Sequence, residues 1–197
     1  MAVRSHPEIA AAAARLIVEE GLEYGPAKQR AARDLGYRPR GASLPGNDEV
    51  EDEVRAYLEL FEADSQPAEL AELRRIAAAW MARLSPFRPH LTGAVWRGTA
   101  TRRNSVRIDL YCDDNKAAEL ALIDMRVDYD SSSIDRPRGE PLLVLEVFSR
   151  SPVLDTPVHV AMTVRDYDDL RGALVRDGRG RTVRGDLAAL SALEAGM

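Results

Sequence analysis

Apolar residues recur every three or four positions through residues 1–85 and then give way to shorter alternating runs. A first helix is predicted after Ser5-His6-Pro7-Glu8, where the serine caps backbone donors, the glutamate returns the bond and proline suits the first turn. Ile9, Ala13, Leu16 and Ile17 mark its apolar face, and Gly21 supplies its stop. A shorter helix follows over residues 26–35, with Ala27, Ala31 and Leu35 on one side and Gly36 at its end. The stretch 38–47 holds too many proline and glycine breakers for a helix or a central strand, and reads as a loop or linker. Asp48 with Glu51 repeats the capping pattern, and Val50, Val54, Leu58 and Phe61 follow at helical spacing with acids on the other face. Ser65 and Pro67 open a further helix through Leu70, Leu73, Ala77, Trp80 and Leu84. These last two helices read as an antiparallel pair, with Trp80 and Met81 as packing residues.

Past Pro86 the period falls toward two, and strands are predicted over residues 88–92, 105–111, 125–129, 142–148 and 157–164, with a short helix at 113–122. The link Ser149 to Asp155 is too short for a helical crossover, so the last two strands should run antiparallel. A helix over 167–176, a Gly-Arg-Gly turn and a helix over 186–193 complete the chain. The pattern predicts an α+β protein. A helical region, 1–85, precedes a mixed β-sheet with flanking helices, 86–197, in one compact unit.

Composition narrows the chemistry. Cys112 is the one cysteine in the sequence, which excludes an internal disulfide and a cysteine-based zinc cluster. Three histidines, His6, His90 and His159, make a histidine metal site unexpected. No apolar run approaches the roughly 20 residues that span a bilayer, and residues 1–8 lack a secretory pattern, so a cytoplasmic protein without a membrane partner is expected. A net charge of −5 argues mildly against a broad nucleic-acid surface.

The most informative stretch is Leu91-Thr92-Gly93-Ala94-Val95-Trp96-Arg97-Gly98-Thr99-Ala100, followed by Asp109 within Ser105-Val106-Arg107-Ile108-Asp109-Leu110. It resembles the nucleotidyltransferase superfamily of the DNA polymerase β type, in which a strand, a glycine turn and a second strand bearing paired aspartates bind a nucleotide and magnesium. Gly93, Arg97, Gly98, Thr99, Ala100, Ser105, Asp109 and Leu110 match that motif, whereas Ala94 replaces a phosphate-contacting serine and Arg107 replaces the first aspartate. The resemblance implies nucleotide contacts at Gly93, Ala94, Arg97, Gly98, Thr99 and Arg107, with a nucleoside triphosphate as partner. It also implies catalytic and magnesium-binding roles for Asp109 and for Glu146, whose setting Leu145-Glu146-Val147 is that of the family's third carboxylate.

Residue chemistry pulls in the other direction. An arginine two positions from Asp109 on one strand face reverses the charge where hard magnesium wants carboxylate oxygen, and an interaction between Arg107 and Asp109 is the expected consequence. Asp113, four residues on, lies roughly 13 Å away along an extended chain and is no substitute. Glu146 is open to a second reading, as an acid exposed on an edge strand, and His159 reads as structural or exposed. The expectation is therefore a divergent nucleotidyltransferase fold with a degenerate metal site that binds a nucleotide, RNA or a protein. The rival is an active magnesium-dependent enzyme acting on a small molecule, RNA or protein.

Two further resemblances bear on other classes. Residues 13–22 and 31–36 are similar to the first two helices of tetracycline-repressor-type regulators, which would make the chain a DNA-binding protein. The breaker-rich stretch after them cannot supply a recognition helix, so DNA is not the expected partner. Asp168-Asp169-Leu170-Arg171-Gly172-Ala173-Leu174 resembles a segment of a small group of uncharacterised bacterial proteins, some named as muramate–alanine ligases. No Gly-Lys dipeptide occurs to form the phosphate-cradling loop such a ligase needs.

Overall fold

A computed structural model describes residues 6–37, 44–136, 139–177 and 179–196. Ser5, residues 38–43 of the expected linker and Gly178 of the expected turn lie outside them. The chain forms two compact units, residues 1–68 with 99–104, and residues 69–98 with 105–197. The expected division at 85/86 thus falls earlier, because the fourth helix belongs with the sheet.

The helical unit is built on α1 (Pro7–Glu20), α2 (Tyr24–Asp34) and α3 (Asn47–Phe61). Ile9, Ala13, Ile17 and Val18 of α1 are buried with Ala27 and Ala31 of α2 and Val50, Val54 and Leu58 of α3 in one cluster. Alanines on α1 and α2 leave little side chain between helix axes, so the aliphatic residues of α3 fill the remaining space. The cap of α3 is Gly46, two residues before the expected Asp48 position. The Glu49 carboxylate accepts the Gly46 amide at 2.7 Å, and Glu51 is buried instead of facing solvent, paired to Arg55 at 2.8 Å. α3 packs on α1.

The sheet unit begins in α4 (Gln66–Arg83), whose side chains reach the sheet. The Trp80 indole donates to Ser149 Oγ at 2.6 Å, Ser151 Oγ donates to Glu72 at 2.7 Å, and the buried Arg74 donates to the Val95 carbonyl at 3.3 Å. Among the described residues, six strands form one sheet in the order β3-β4-β5-β2-β1-β6. They are β1 (His90–Thr92), β2 (Val106–Tyr111), β3 (Asp130–Ile134), β4 (Leu142–Ser149), β5 (Val158–Arg165) and β6 (Arg184–Gly185). β2 and β5 are parallel, and the other pairs are antiparallel, including β4 with β5 as expected. The fold is α+β with a mixed sheet.

Three expectations shift. The strand placed at 125–129 occurs at 130–134, where Asp-Ser-Ser-Ser-Ile offers no buried face and hence no apolar alternation to find. The helix placed at 167–176 is a 3₁₀ segment, Tyr167–Gly172. The turn after β1 is itself helical, α5 (Gly93–Arg97). α6 (Asn115–Asp124), capped by Asp114, and α7 (Leu187–Ala195), capped by Asp186, lie close to their expected positions. Among the described residues no helix is long and apolar enough to cross a membrane.

Candidate functional site

Alternation sorts the strands into two faces. On one face, Ile108, Leu110, Val160, Met162, Val164 and Leu145 are buried core. On the other, register brings polar residues from neighbouring strands into rows. Thr92, Arg107, Ala161 and Glu146 form one row from β1 to β4, and His90, Asp109, Thr163 and Val144 form the next. Ala161 and Thr163 are the short side chains at the centre, and longer ones rise on both sides. The result is a cavity of about 360 Å³, lined by Arg107, Arg165 and Arg184, by Asp109 and Glu146, and by Ser105 and His159 among others.

Asp109 is only 3 % exposed. Arg165 Nε lies 2.9 Å from its Oδ1, and Arg184 Nη1 donates to its Oδ2 at 2.5 Å and to the Tyr111 hydroxyl at 2.6 Å. A buried carboxylate needs such partners, since desolvating an unpaired charge is costly. Burial pushes the Tyr111 phenol above its ordinary range, with Arg184 acting against it. The His90 ring meets Tyr111 edge-on at 5.3 Å.

On the far side of the cavity, Ser105 Oγ lies 2.8 Å from His159 Nδ1, and His159 Nε2 lies 3.4 Å from Glu146 Oε1. Ser132 Oγ donates to Glu146 Oε2 at 3.4 Å. β4 is an interior strand between β3 and β5, which removes the edge-strand reading of Glu146.

Of the residues singled out from the sequence, Arg107, Asp109 and Glu146 line this one cavity. Gly93 opens α5 with φ of 72°, a conformation that disfavours a side chain, and its backbone lies against the Arg107 stem, 3.5 Å from a hypothetical Cβ. Ala94 and Arg97 lie within α5, and Gly98 follows it against Arg74; none of the three lines the cavity. Thr99 is buried in the helical unit. α5 is held by Trp96, whose indole donates to the Thr182 carbonyl at 2.8 Å and whose ring lies on Gly185, leaving no room there for a Cβ.

Sequence reasoning missed Arg165, Arg184 and the proximity of Ser105 to His159. β5 alternates Val158, Val160, Met162 and Val164 with His159, Ala161, Thr163 and Arg165, and that parity places His159 and Arg165 on the face opposite the core. Nothing local points to Arg184, 75 residues from Asp109.

Magnesium takes hard oxygen donors with lone pairs free to reach it. Both Asp109 oxygens face guanidinium groups, and β5 separates the strands carrying Asp109 and Glu146. Among the described residues, no three His, Cys, Asp or Glu side chains converge where a metal ion could sit.

No family model matches the chain, and no curated protein matches it to a significant degree. Solved structures align with part of it. One, a cytoplasmic RNA terminal U-transferase, is 13% identical with a TM-score of 0.36, over 50% of this chain and 31% of that one. Another, Cid1 in complex with the UTP analogue UMPNPP, is 12% identical with a TM-score of 0.35, over 58% of this chain and 36% of that one. The chain spans about a third of the length of each.

Proposed function

We propose that the sheet unit is a divergent nucleotidyltransferase-like module whose cavity binds a phosphorylated ligand, a nucleoside triphosphate or a phosphate group of RNA, without the magnesium pair. The observation that carries this reading is the engagement of Asp109, the surviving motif carboxylate, by Arg165 and Arg184. Three arginines against two carboxylates give the cavity a positive excess. Guanidinium groups match phosphate oxygens in charge and in donor geometry. The motif Gly93 to Asp109 supports the superfamily assignment, and the donor set fits an anion better than magnesium.

The test is thermal unfolding of the full chain with nucleoside triphosphates, with and without magnesium. A ligand present at 100 times its Kd should stabilise the protein by about 2.7 kcal/mol. The reading expects stabilisation that survives chelation of magnesium and weakens in Arg107→Ala. A second reading, an active magnesium-dependent nucleotidyltransferase, draws on one observation: Asp109 and Glu146 share a sheet face and a cavity. Magnesium-dependent release of pyrophosphate, lost in Asp109→Asn, would establish it and sink the first.

A further inference from the structure

Ser105, His159 and Glu146 lie in series along one side of the cavity. Ser105 immediately precedes β2, and the parallel register that pairs Val106 with Val160 sets it opposite His159. Glu146 pairs with Ala161 on the antiparallel neighbour, which makes it the diagonal neighbour of His159 and within reach of a long side chain. The distances follow: 2.8 Å from Ser105 Oγ to His159 Nδ1, and 3.4 Å from His159 Nε2 to Glu146 Oε1. A carboxylate beside Nε2 favours the tautomer that carries its proton there, which leaves the Nδ1 lone pair to accept the serine hydroxyl. The hydrogen bond from Ser132 fixes the second oxygen of Glu146. All four side chains line the cavity that also holds Arg107.

We infer that Ser105 is a nucleophile activated by His159, with Glu146 as its positioning residue, acting on small carboxylic esters that carry an anionic group. The arrangement has the roles of a serine–histidine–acid triad, with the two ring nitrogens exchanged relative to the commonest form. Arg107 lies two residues from Ser105 on the same face, so a guanidinium borders the point of attack and selects for a negatively charged substrate. A cavity of about 360 Å³ admits a small molecule and not a folded partner. In the forward step Ser105 Oγ adds to the ester carbonyl carbon, and the serine proton passes to His159 Nδ1. That proton leaves with the departing alcohol as the C–O bond breaks, giving an acyl-serine. Water then adds to the acyl carbon, yields its proton to His159, and the proton returns to Ser105 Oγ as the carboxylic acid is released. No oxidant, reductant or metal enters the balance.

The relay stands independently of nucleotide binding, and the experiment separates the two. The full chain is treated with a fluorophosphonate, which reacts preferentially with an activated serine hydroxyl, and the adduct is located by mass spectrometry. One adduct on Ser105 is expected, absent from Ser105→Ala. General-base assistance is worth roughly 10²–10⁴-fold, so His159→Gln should slow labelling by that order. Glu146→Gln should slow it less, and Glu146→Asp should restore part of the rate at unchanged melting temperature, which a merely structural carboxylate would not do. In Arg107→Leu, hydrolysis of a carboxylate-bearing nitrophenyl ester should show a raised KM, and the preference for it over a neutral ester should fall. Unmodified Ser105 in folded protein, under conditions that label a serine-hydrolase control, would overturn the inference, as would equal labelling of Ser105→Ala. Labelled Ser105 without any stabilisation by nucleotide would keep the nucleophile and remove the nucleotide reading.

Discussion

The helical unit and the sheet unit differ in how they hold buried charge. In the helices, alanine, valine, leucine and isoleucine fill the interior, pairs such as Arg15 with Glu19 and Arg30 with Glu20 stay on the surface, and the buried Glu51 leans on Arg55 one turn along its own helix. In the sheet unit, Asp109 and Arg74 are taken out of water, at 3 % and 4 % exposure, and lean on specific partners. An aliphatic interior tolerates many equivalent sequences of the right volume, whereas a buried carboxylate tolerates few. Investment of that kind marks where the molecule commits to a particular arrangement of groups.

The sharpest way to break this contrast is to remove one partner of Asp109. Arg184→Met leaves the Oδ2 of a buried carboxylate without its guanidinium, with Arg165 alone at Oδ1, and urea unfolding should show a loss of about 3–5 kcal/mol, as expected for a broken buried pair. The double variant with Asp109→Asn should lose less than the sum of the singles, because the stranded charge is gone. A near-additive result would mean that the pair is not coupled. Next in size, Ile17→Ala in the helical interior should cost about 2–4 kcal/mol through lost contacts and an incompletely collapsed cavity, with no effect on ligand binding in the sheet unit.

Gly185→Ala should cost about 1–3 kcal/mol by overpacking, since a Cβ there would fall 2.1 Å from the Trp96 ring; a red shift of tryptophan fluorescence would accompany it. The acid limb of stability tests Glu72. Arg75, first, and Ser151 hold its carboxyl below the ordinary glutamate range while burial opposes them. Its unfolded pKa, about 4.3, is therefore the higher one. The contribution is complete above that value and is lost as pH falls through the folded one. Glu72→Gln should flatten the acid limb and leave stability above neutral pH with the same slope. Smallest of all, Arg15→Ala removes an exposed pair, and its melting temperature should match the parent at moderate salt.

The helical unit was legible because its information is local. Ile9, Ala13 and Ile17 recur at helical spacing and face the core that their spacing implies. β2 and β5 were legible for the same reason, since apolar residues alternate along them with polar or small ones, and β4 stood out as an apolar run. β3 was not, because Asp130, Ser131, Ser132 and Ser133 obtain their extended form from pairing with β4, a partner supplied by tertiary structure. The site divides likewise. Arg107 and Asp109 stood out by comparison with a motif, while the groups that hold Asp109 come from β5 and β6 and become its neighbours only when the sheet closes. His159 sat on a polar parity that was visible in the sequence, but Ser105 reaches it through a parallel register that no local pattern encodes.

Strand order also decides what the margins of the sheet present to other molecules. At one margin β6 is two residues long, too short to template an incoming chain. At the other, β3 offers five exposed residues, of which only Ile134 is apolar and Asp130 is charged. Long, flat, greasy margins recruit foreign strands and seed fibrils; short or hydrophilic ones do not. The polar composition that hid β3 from recognition is therefore the same property that keeps a half-open sheet from zippering to its neighbours in a crowded solution.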